Sequence, residues 1–465
     1  MYRKVKNIHF VGIGGIGMSG IAEVLLNMGY FVSGSDLNET DLTERLASLG
    51  ISISYGHSPS NLGDADVVVT STAVGEDNPE VKIAHERHIP VIPRAEMLAE
   101  LLKMKFSIAV SGSHGKTTTT SMVAMILAHG NLDPTMVIGG KLASIGSNAR
   151  LGDGEYIVAE ADESDGSFLK LSPSISVITN IDLEHLDYYR DIEEIKEAFL
   201  QFANIVPFYG STILCLDDDN VVEILPEIKR RTITYGLSDQ ADYQARDISF
   251  EGSSSNFALY YRGDFLGDIS LSVPGLFNVY NSMAAVAVAR ELDMAMQEIR
   301  EGIKSYVGVH RRLETKGEVN GIIVVDDYGH HPTEIRATLT AARQVWNKRR
   351  LIVVFQPHRY TRTKALFDDF LTAFPDADVL ILTDIYAASE KEIEGVNSSE
   401  LCQGIKRCGH KNVTHISGSD EIVDHLLAIA EPTDVIITLG AGDVWKVGEE
   451  FLRRAFVEFQ AGEVE

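Results

Sequence analysis

Cysteines, basic residues and long apolar segments are scarce in this sequence of 465 residues. Its three cysteines, Cys215, Cys402 and Cys408, form no CxxC pair, which excludes a disulfide framework and fits a reducing compartment. The sequence has 41 Lys and Arg residues and 67 Asp and Glu residues. The resulting net charge of -26 would repel long nucleic acids and anionic membranes. Glycines between Gly12 and Gly17 interrupt the apolar stretch near the N-terminus, which is therefore not a signal-peptide core, and no segment approaches the roughly 18 uninterrupted apolar residues of a membrane helix. We therefore expect a cytoplasmic protein with small ligands, and neither nucleic acid nor membrane as a partner.

The chain does contain a regular alternation of short β-rich apolar runs with segments of helical period, which is typical of parallel α/β sheets. These runs predict strands at residues 8–11, 67–70, 108–110, 177–179, 322–325, 351–355, 379–382 and 435–439. Between residues 232 and 273, segments 257–261 and 268–273 instead predict antiparallel strands at the edge of the middle unit. At about 150 residues per domain, the length predicts three domains. We expect Rossmann-like sheets at residues 1–105 and 316–465, and a mixed sheet at residues 106–315.

The first predicted strand leads into a glycine-rich loop of the pattern GxGxxG, and residues 18–29 then predict a helix. The glycines of this loop are Gly12, Gly14, Gly15 and Gly17. They let the backbone approach a diphosphate, whose charge is met by free N–H groups at the helix N-terminus. Asp36, at the end of the next strand, would accept a hydrogen bond from a ribose hydroxyl. The loop predicts a diphosphate on a ribose without specifying nicotinamide, and a glycine turn with no ligand is the alternative.

A second glycine-rich loop follows a strand at residues 106–111 and leads into a helix at residues 121–129. The loop contains Gly112, Ser113, His114, Gly115, Lys116, Thr117 and Thr118. It departs from the usual P-loop, whose first glycine would fall at Val110, and a solvated Gly-Lys-Thr turn is the alternative. The Gly-Lys-Thr part of the P-loop motif is nevertheless present, so Lys116 can reach β and γ phosphate oxygens and the Thr117 hydroxyl can bind Mg²⁺. Since a dehydrogenase needs one nucleotide, two such loops favour ATP chemistry on a nucleotide-linked substrate.

Acidic and histidine side chains follow the next two predicted strands of the middle unit, at residues 160–165 and 180–185. Because the carboxyl ends of parallel strands share one edge, these clusters should converge on the second loop. Glu160 and His185 are candidate Mg²⁺ ligands beside Thr117, although Mg²⁺ prefers oxygen to nitrogen donors. The remaining acids are expected to cap helices or to face solvent; they include Glu163, Asp182 and Glu184.

These motifs, in this order, resemble the Mur ligase family over essentially the whole chain. Further motifs that carry the resemblance are residues 278–281, 310–312, 326–332 and 356–362. The resemblance implies UDP rather than NAD on the first loop, a central ATPase domain, and a C-terminal domain that closes over an amino acid. It implies that ATP phosphorylates the lactyl carboxylate of UDP-N-acetylmuramate, and that L-alanine then displaces phosphate to form an amide for peptidoglycan synthesis.

The resemblance also implies roles for single residues. UDP-sugar contacts are expected at Gly12, Gly14, Gly15, Gly17, Ser19, Asp36, Ser71 and Thr72. ATP contacts are expected at Gly112, Ser113, His114, Gly115, Lys116, Thr117, Thr118, Asn278, Asn281, Arg312 and Asp327. The implied metal ligands are Thr117, Glu160 and His185, and the implied catalytic residues are Lys116, Glu160, His185, His331, Arg359 and Arg362. His331, Arg359 and Arg362 are expected near the carboxylate of the amino acid, which suits a guanidinium group.

Three other functions compete with this interpretation. A nicotinamide dehydrogenase does not account for the second loop, and a nucleotide-sensing module would not need His331, Arg359 and Arg362. A ligase that attaches a preformed peptide to the same UDP-sugar, for murein peptide recycling, is the nearest alternative, although residues 160–165 resemble the alanine-adding enzymes more. L-Ala remains open against Gly or L-Ser, because one methyl group is worth only about 1 to 3 kcal/mol. We expect a monomer or a weak homodimer.

Overall fold

The computed structural model of the protein describes residues 4–71, 73–142 and 147–462. Its strands form a five-stranded, a ten-stranded and a six-stranded sheet, which follow one another along the chain. Helices cover these sheets, so the expected three-part α/β architecture is confirmed. None of the helices in the described part of the chain combines the length and the apolarity that a membrane crossing requires.

The first sheet is parallel throughout, with the strand order β3-β2-β1-β4-β5. Its strands are β1 (Asn7–Val11), β2 (Phe31–Asp36), β3 (Ser52–Tyr55), β4 (Val67–Thr70) and β5 (Val91–Pro93). Its helices are α1 (Ile16–Asn27), α2 (Asp41–Ser48), α3 (Pro79–Glu86) and α4 (Arg94–Leu102). The glycine loop lies between β1 and α1, so the strand, loop and helix predicted there are confirmed.

The second sheet has the order β15-β14-β13-β12-β11-β10-β6-β9-β7-β8. Its strands are β6 (Phe106–Ser111), β7 (Thr135–Leu142), β8 (Ser147–Arg150), β9 (Tyr156–Glu160), β10 (Ile175–Ile178), β11 (Ser211–Cys215), β12 (Arg231–Gly236), β13 (Tyr243–Glu251), β14 (Ser254–Tyr261) and β15 (Asp264–Leu271). Its helices are α5 (Lys116–His129), α6 (Ile192–Ile205), α7 (Asp219–Ile224), α8 (Leu276–Glu291) and α9 (Met296–Lys304). The antiparallel edge of β13, β14 and β15 is confirmed. A second antiparallel pair, β7 with β8, lies at the other edge and was not predicted.

The third sheet has the order β16-β17-β21-β18-β19-β20. Its strands are β16 (Glu314–Val319), β17 (Ile322–Asp327), β18 (Leu351–Phe355), β19 (Val379–Leu382), β20 (Val413–His415) and β21 (Val435–Leu439). Its helices are α10 (Pro332–Val345), α11 (Tyr360–Ala365), α12 (Phe367–Phe370), α13 (Ser398–Arg407), α14 (Ser419–Ile429) and α15 (Trp445–Gly462). Antiparallel β16 makes this Rossmann-like sheet mixed. The domain boundary proposed after residue 315 falls inside β16, and the one after residue 105 falls between α4 and β6.

The first two units share one apolar core, whereas the third unit has cores of its own. Helix α1 packs on β7 and β8, where a Cβ added at Gly20 would lie 3.2 Å from the Cβ of Ala149. Met18 and Ile21 of α1 belong to the same buried cluster as Phe199 of α6. This apolar contact fixes the first glycine loop relative to the central sheet.

A buried carboxylate holds the first unit together beneath its glycine loop. Glu80, at the start of α3, is fully buried and accepts hydrogen bonds from His9 Nε2 at 3.0 Å, Ser35 Oγ at 2.7 Å and Asn61 Nδ2 at 2.7 Å. The backbone carbonyl of Ser35 in turn accepts from the N–H groups of Gly12 and Ile13 in the glycine loop. Burial raises the pKa of Glu80, but these donors lower it overall, to about 2.

We predict that Glu80→Gln lowers the free energy of unfolding of the first unit by about 2 kcal/mol near neutral pH, because charge-assisted hydrogen bonds are lost. A carboxylate with a depressed pKa stabilises the fold above its ordinary pKa of 4.5, and this contribution is lost as the pH falls towards 2. The difference between wild type and variant in chemical denaturation should therefore be constant from about pH 8 to 5.5 and should shrink below about pH 4.5. Exposed Glu76→Gln is the control and should show no such difference. A difference that persists unchanged at low pH would contradict the prediction.

Candidate active site

The carboxyl ends of strands from all three sheets open into one cavity of about 800 Å³. Residues that follow these strands line it; they include Ile16 after β1, Lys116 after β6, Glu160 at the end of β9, His185 after β10, Tyr328 after β17 and His358 after β18. A second cavity of about 280 Å³ adjoins the first, since His114 and Gly115 line both. The loop before α5 therefore lies between the two cavities.

The conformation of the second glycine loop requires glycine at two positions. Gly112 has a φ of +132°, and a Cβ there would lie 2.0 Å from Thr179 Oγ1 and 2.9 Å from Thr179 N. Gly115 has a φ of +83° and directly precedes α5, which begins at Lys116. Asn180, which follows β10, accepts hydrogen bonds from the N–H groups of Ser113 and His114. The loop is thus fixed against the neighbouring strand, with the N-terminus of α5 at the cavity.

The ammonium group of Lys116 lies at the centre of this loop. Its Nζ donates to the carbonyl oxygen of Gly112 at 2.6 Å, to that of Ser113 at 3.1 Å and to Glu163 Oε1 at 2.7 Å. Burial lowers the pKa of Lys116, but the charges of Glu163 and Glu184 raise it overall. Lys116 is therefore a fixed positive charge at the centre of the loop.

Glu163 and Glu184 are not helix caps or solvent-facing acids, so that prediction was wrong. Glu163 is 1% exposed and Glu184 is 6% exposed. Glu163 Oε1 lies 3.3 Å from His185 Nε2 as well as beside Lys116, and its Oε2 is buried with no hydrogen-bond partner among the described residues. Glu184 accepts from Arg362 Nη2 at 3.1 Å. Both carboxylates are paired with basic side chains; those beside Glu163 belong to the central unit, whereas Glu184 is also contacted by Arg362 of the third unit.

Oxygen donors suited to Mg²⁺ meet at the side of the loop that faces the first cavity. Thr117 Oγ1 lies 3.0 Å from Glu160 Oε2, which also accepts from the N–H of Gly139 at 2.8 Å. Burial raises the pKa of Glu160, which a cation would reverse. His185 lines the same cavity but contacts Glu163 and Glu184, with which it forms a separate cluster of possible metal ligands. The structure thus brings Thr117 and Glu160 together and places His185 with two acids that were not predicted as ligands.

Several of the side chains expected to contact ATP line the second cavity. Asn281 lines it and accepts a hydrogen bond from Thr119 Oγ1 at 3.1 Å, while the buried Asn278 is not among the lining residues. Asp327 also lines the cavity, and burial raises its pKa to about 6 although the charge of Arg312 opposes the increase. Arg312 lines both cavities. The sequence did not identify Tyr280, whose hydroxyl donates to Asp217 at 2.9 Å in the wall of the second cavity.

A polar junction joins the second loop to the third unit. His114 Nε2 lies 3.1 Å from Asp182 Oδ2, and the same oxygen accepts from Thr333 Oγ1 at 2.7 Å. Burial lowers the pKa of His114, but hydrogen bonds with Asp182 and Glu334 raise it to about 10. Asp182 therefore bridges two units, and the expectation that it caps a helix or faces solvent was wrong. The centre of the buried ring of His331 lies 4.9 Å from that of His114, and the two ring planes are inclined at 43°.

The two arginines after β18 face the first cavity, but His331 is not with them. Arg359 donates to Asp187 Oδ2 at 2.8 Å, and Arg362 contacts Glu184. Instead of His331, His330 and His358 line the cavity beside them. His330 Nε2 lies 3.5 Å from Glu184 Oε1, so it is the histidine of this pair that the sequence should have assigned to the arginine group. Its neighbour points the other way because it begins α10 as the N-cap residue.

The first glycine loop contacts the acidic residue that the sequence placed beside it. Gly14 N donates to Asp36 Oδ2 at 2.8 Å, and Ser71 Oγ lies 3.5 Å from the position of a Cβ on Gly12. Ser19 is buried in α1 and donates to the carbonyl of Ile16. Thr72 lies outside the described residues. The structure thus gathers Asp36 and Ser71 at the loop and leaves Ser19 one turn into the helix.

Three sequence profiles of Mur ligases match successive parts of the chain. The profile described as Mur ligase family, catalytic domain, matches residues 7–106. The Mur ligase middle domain matches residues 110–289, and the Mur ligase, glutamate ligase domain, matches residues 311–442. The chain belongs to the Mur ligase family.

Relatives of this Mur ligase are similar over almost their full length. The UDP-N-acetylmuramate--L-alanine ligase of Syntrophus aciditrophicus is 68% identical over 454 residues, which are 98% of this chain and 94% of that protein. The enzyme of the same name from Geobacter sulfurreducens is 59% identical over 455 residues, 98% of each chain.

Solved structures agree with this relationship. The crystal structure of a UDP-N-acetylmuramate-alanine ligase from Thermotoga maritima has a TM-score of 0.82 and 31% identity, with 98% of this chain and 100% of that chain covered. A murein peptide ligase from Psychrobacter arcticus has a TM-score of 0.72 at 24% identity, with 97% and 99% covered, and shares the fold.

We predict that Gly112→Ala in this Mur ligase weakens ATP binding by about 100-fold or more, because the added methyl group collides with Thr179 and displaces the loop. Thr179→Ala should not rescue the variant, since the backbone nitrogen of residue 179 would still lie 2.9 Å from the methyl carbon. Gly29→Ala is the control, because Gly29 also has a positive φ of +89° but has open space around it. Titration of ATP by calorimetry measures the effect, and equal affinities in Gly112→Ala and the control would refute it.

Proposed function

We propose that the chain is an ATP-dependent ligase that joins L-alanine to the lactyl carboxylate of UDP-N-acetylmuramate, with ADP and phosphate as the other products. The observation that carries the proposal is the similarity, at 58–68% identity, to relatives named UDP-N-acetylmuramate--L-alanine ligase. The cavity of about 800 Å³, which residues of all three units line, supports it, since the reacting groups of three substrates must meet in one place. The product would serve peptidoglycan synthesis in the cytoplasm. The enzyme would act as a monomer or a weak homodimer.

In the first step, a lactyl carboxylate oxygen attacks the γ-phosphorus of ATP, and ADP leaves. The positive charge of Lys116 stabilises the charge on the transferred phosphoryl group, together with the N–H groups of the loop. Thr117 and Glu160 would hold Mg²⁺, with His185, Glu163 and Glu184 near a second position. Bound Mg²⁺ would neutralise charge on the phosphate oxygens. The mixed anhydride that results is a better electrophile than the carboxylate.

In the second step, the amine of L-alanine attacks the acyl carbon, and phosphate leaves as the amine loses a proton. Arg359 and Arg362 follow β18, immediately before and within α11, and line the shared cavity, where a guanidinium group can bind the carboxylate of the amino acid. His331 contributes by holding α10 against the loop through its contacts with His114 and with the carbonyl of Leu183. The third unit thereby keeps water from the acyl phosphate.

The nucleotide groups are assigned to the two loops. The first loop, with Asp36 and Ser71, would bind the UDP part of the sugar nucleotide. The second cavity would bind adenine and ribose at Asn278, Asn281, Arg312 and Asp327, with the phosphates directed along the loop from Gly112 to Thr118. In this arrangement two nucleotides are bound at the same time, whereas a dehydrogenase would bind one NAD.

Release of phosphate from ATP in the presence and absence of each substrate tests the proposal. We expect release only when UDP-N-acetylmuramate and L-alanine are both present. Replacement of L-alanine by a preformed L-alanyl peptide tests the recycling alternative, and a higher rate with the peptide would favour that alternative. Tight binding of NAD without binding of the UDP-sugar would favour a dehydrogenase.

We predict that Lys116→Ala lowers turnover by about 100-fold or more with the fold intact, because a fixed positive charge at the transferred phosphoryl group is lost. Phosphate release under saturating substrates measures turnover, and circular dichroism confirms the fold. Exposed Lys103→Ala, in the first unit, is the matched control and should be as active as wild type. Near-normal turnover of Lys116→Ala would exclude the proposed role of the loop.

We predict that Arg359→Ala raises the KM for L-alanine by about 10-fold or more and changes the KM for ATP by less than about 2-fold, because one charge-assisted hydrogen bond to the amino acid is lost. Arg336→Ala is the control, since Arg336 binds the carbonyl of Asp369 on the surface of the same unit. An unchanged KM for L-alanine would refute this role. A rise confined to the UDP-sugar would place the guanidinium on the lactyl or diphosphate side.

A further inference from the structure

Arg94 occupies a position that the reaction as described does not use. It is the first residue of α4, directly after β5, and its guanidinium group covers the first turn of α1. Its Nη1 lies 3.0 Å, and its Cδ 3.1 Å, from the position that a Cβ on Gly17 would take. In the usual GxGxxG loop the last glycine lets a helix pack closely on a strand. Here the last glycine makes room for an arginine.

The other end of the guanidinium group reaches the central unit. Arg94 Nη2 donates to Asp162 Oδ2 at 3.2 Å, two residues after Glu160. Asp162 lines the shared cavity, and although burial raises its pKa, the charges of Lys116 and Arg94 lower it overall. Arg94 therefore connects the loop assigned to the diphosphate with the residues that follow β9 at the phosphoryl-transfer site.

The helix dipoles disfavour a cation at this place. Arg94 is in the first turn of its own helix, α4, and it lies against the first turn of α1. A helix N-terminus carries a partial positive charge, so a cation is disfavoured beside either of these two helix ends. The side chain is also only 23% exposed, so water screens it incompletely. The ion pair with Asp162 opposes this repulsion and holds the guanidinium group against the first turn of α1.

We propose that Arg94 is a positioning residue, which holds the first glycine loop in register with residues 160–165 so that a bound nucleoside diphosphate sugar presents its carboxylate to the second loop. This inference rests on the proposed function for the identity of the ligand. The guanidinium group lies against Gly17 of the first loop and donates a hydrogen bond to Asp162 of the central unit. The apolar contact of α1 with β8 holds the same two units in the same relative position.

A double-mutant cycle on ligand binding tests the inference. The dissociation constant of UDP-N-acetylmuramate is measured by calorimetry, without ATP or L-alanine, for Arg94→Ala, Asp162→Asn and the double variant. We expect each single variant to raise the constant by about 10-fold, the worth of one charge-assisted hydrogen bond, and the double variant to be no weaker than the weaker single variant. Arg94→Ala should change the dissociation constant of ATP by less than about 2-fold.

A second cycle removes the other contact. Gly17→Ala should weaken UDP-sugar binding because its methyl group displaces the guanidinium group, and it should have no further effect in the Arg94→Ala background, where the space is free. Arg87→Ala is the control, since Arg87 is an exposed arginine of the same unit that contacts the carbonyl of Gly63. Additive effects in both cycles would overturn the inference, because Arg94 would then act independently of its two neighbours.

Two further outcomes are distinguishable. Equal losses of UDP-sugar and ATP affinity, with a lowered melting temperature, would mean that Arg94 only stabilises the fold, and would overturn the inference. If the wild-type protein binds the UDP-sugar but releases no phosphate with L-alanine, the proposed function fails while the binding cycles still decide the role of Arg94.

Discussion

A buried charge must be paired, and in this protein that constraint links the second and third units through one series of contacts. Lys116 contacts Glu163, Glu163 contacts His185, and His185 lies 3.6 Å from Glu184. Glu184 is bound by Arg362 of the third unit. Removing any member would leave a neighbour as an unpaired charge in a water-poor site, which costs several kcal/mol. The arrangement of these charged groups is thus fixed by mutual neutralisation.

The units are joined in two physically different ways. An apolar core continues from α1 through β7 and β8, so the first two units are held by a non-directional contact that tolerates little relative movement. The third unit is held to the second loop by polar contacts, among them those of Asp182 with His114 and Thr333. Hydrogen bonds of this kind are directional, so they set the position of the third unit through specific pairs of atoms, whereas the first unit is positioned by continuous packing.

The sequence predicted what short-range patterns encode. Strands at residues 67–70, 351–355, 379–382 and 435–439 were predicted to the residue, because each is a short apolar run with both faces buried. The two glycine loops could be recognised in the sequence because their local backbone geometry requires glycine. Antiparallel β16 was missed because only Val319 is buried along it, although Asn320 and Gly321, both with positive φ, are a hairpin signal. The pairing of Glu184 with Arg362 joins residues 178 positions apart, which no local pattern reports.

The strongly acidic composition has a physical consequence at the site. With a net charge of -26, cations near the cavity face a surplus of carboxylates, and Arg359, Arg362 and Lys116 each contact at least one. These carboxylates hold the cations oriented, so an incoming phosphate or carboxylate meets groups whose conformational freedom is already reduced. The same carboxylates compete with that anion, which a divalent cation between Glu163, Glu184 and His185 would resolve. Acidity and anion binding are thereby compatible, because repulsion by the whole surface is long-ranged and screened by salt, whereas attraction in the cavity acts at contact distance.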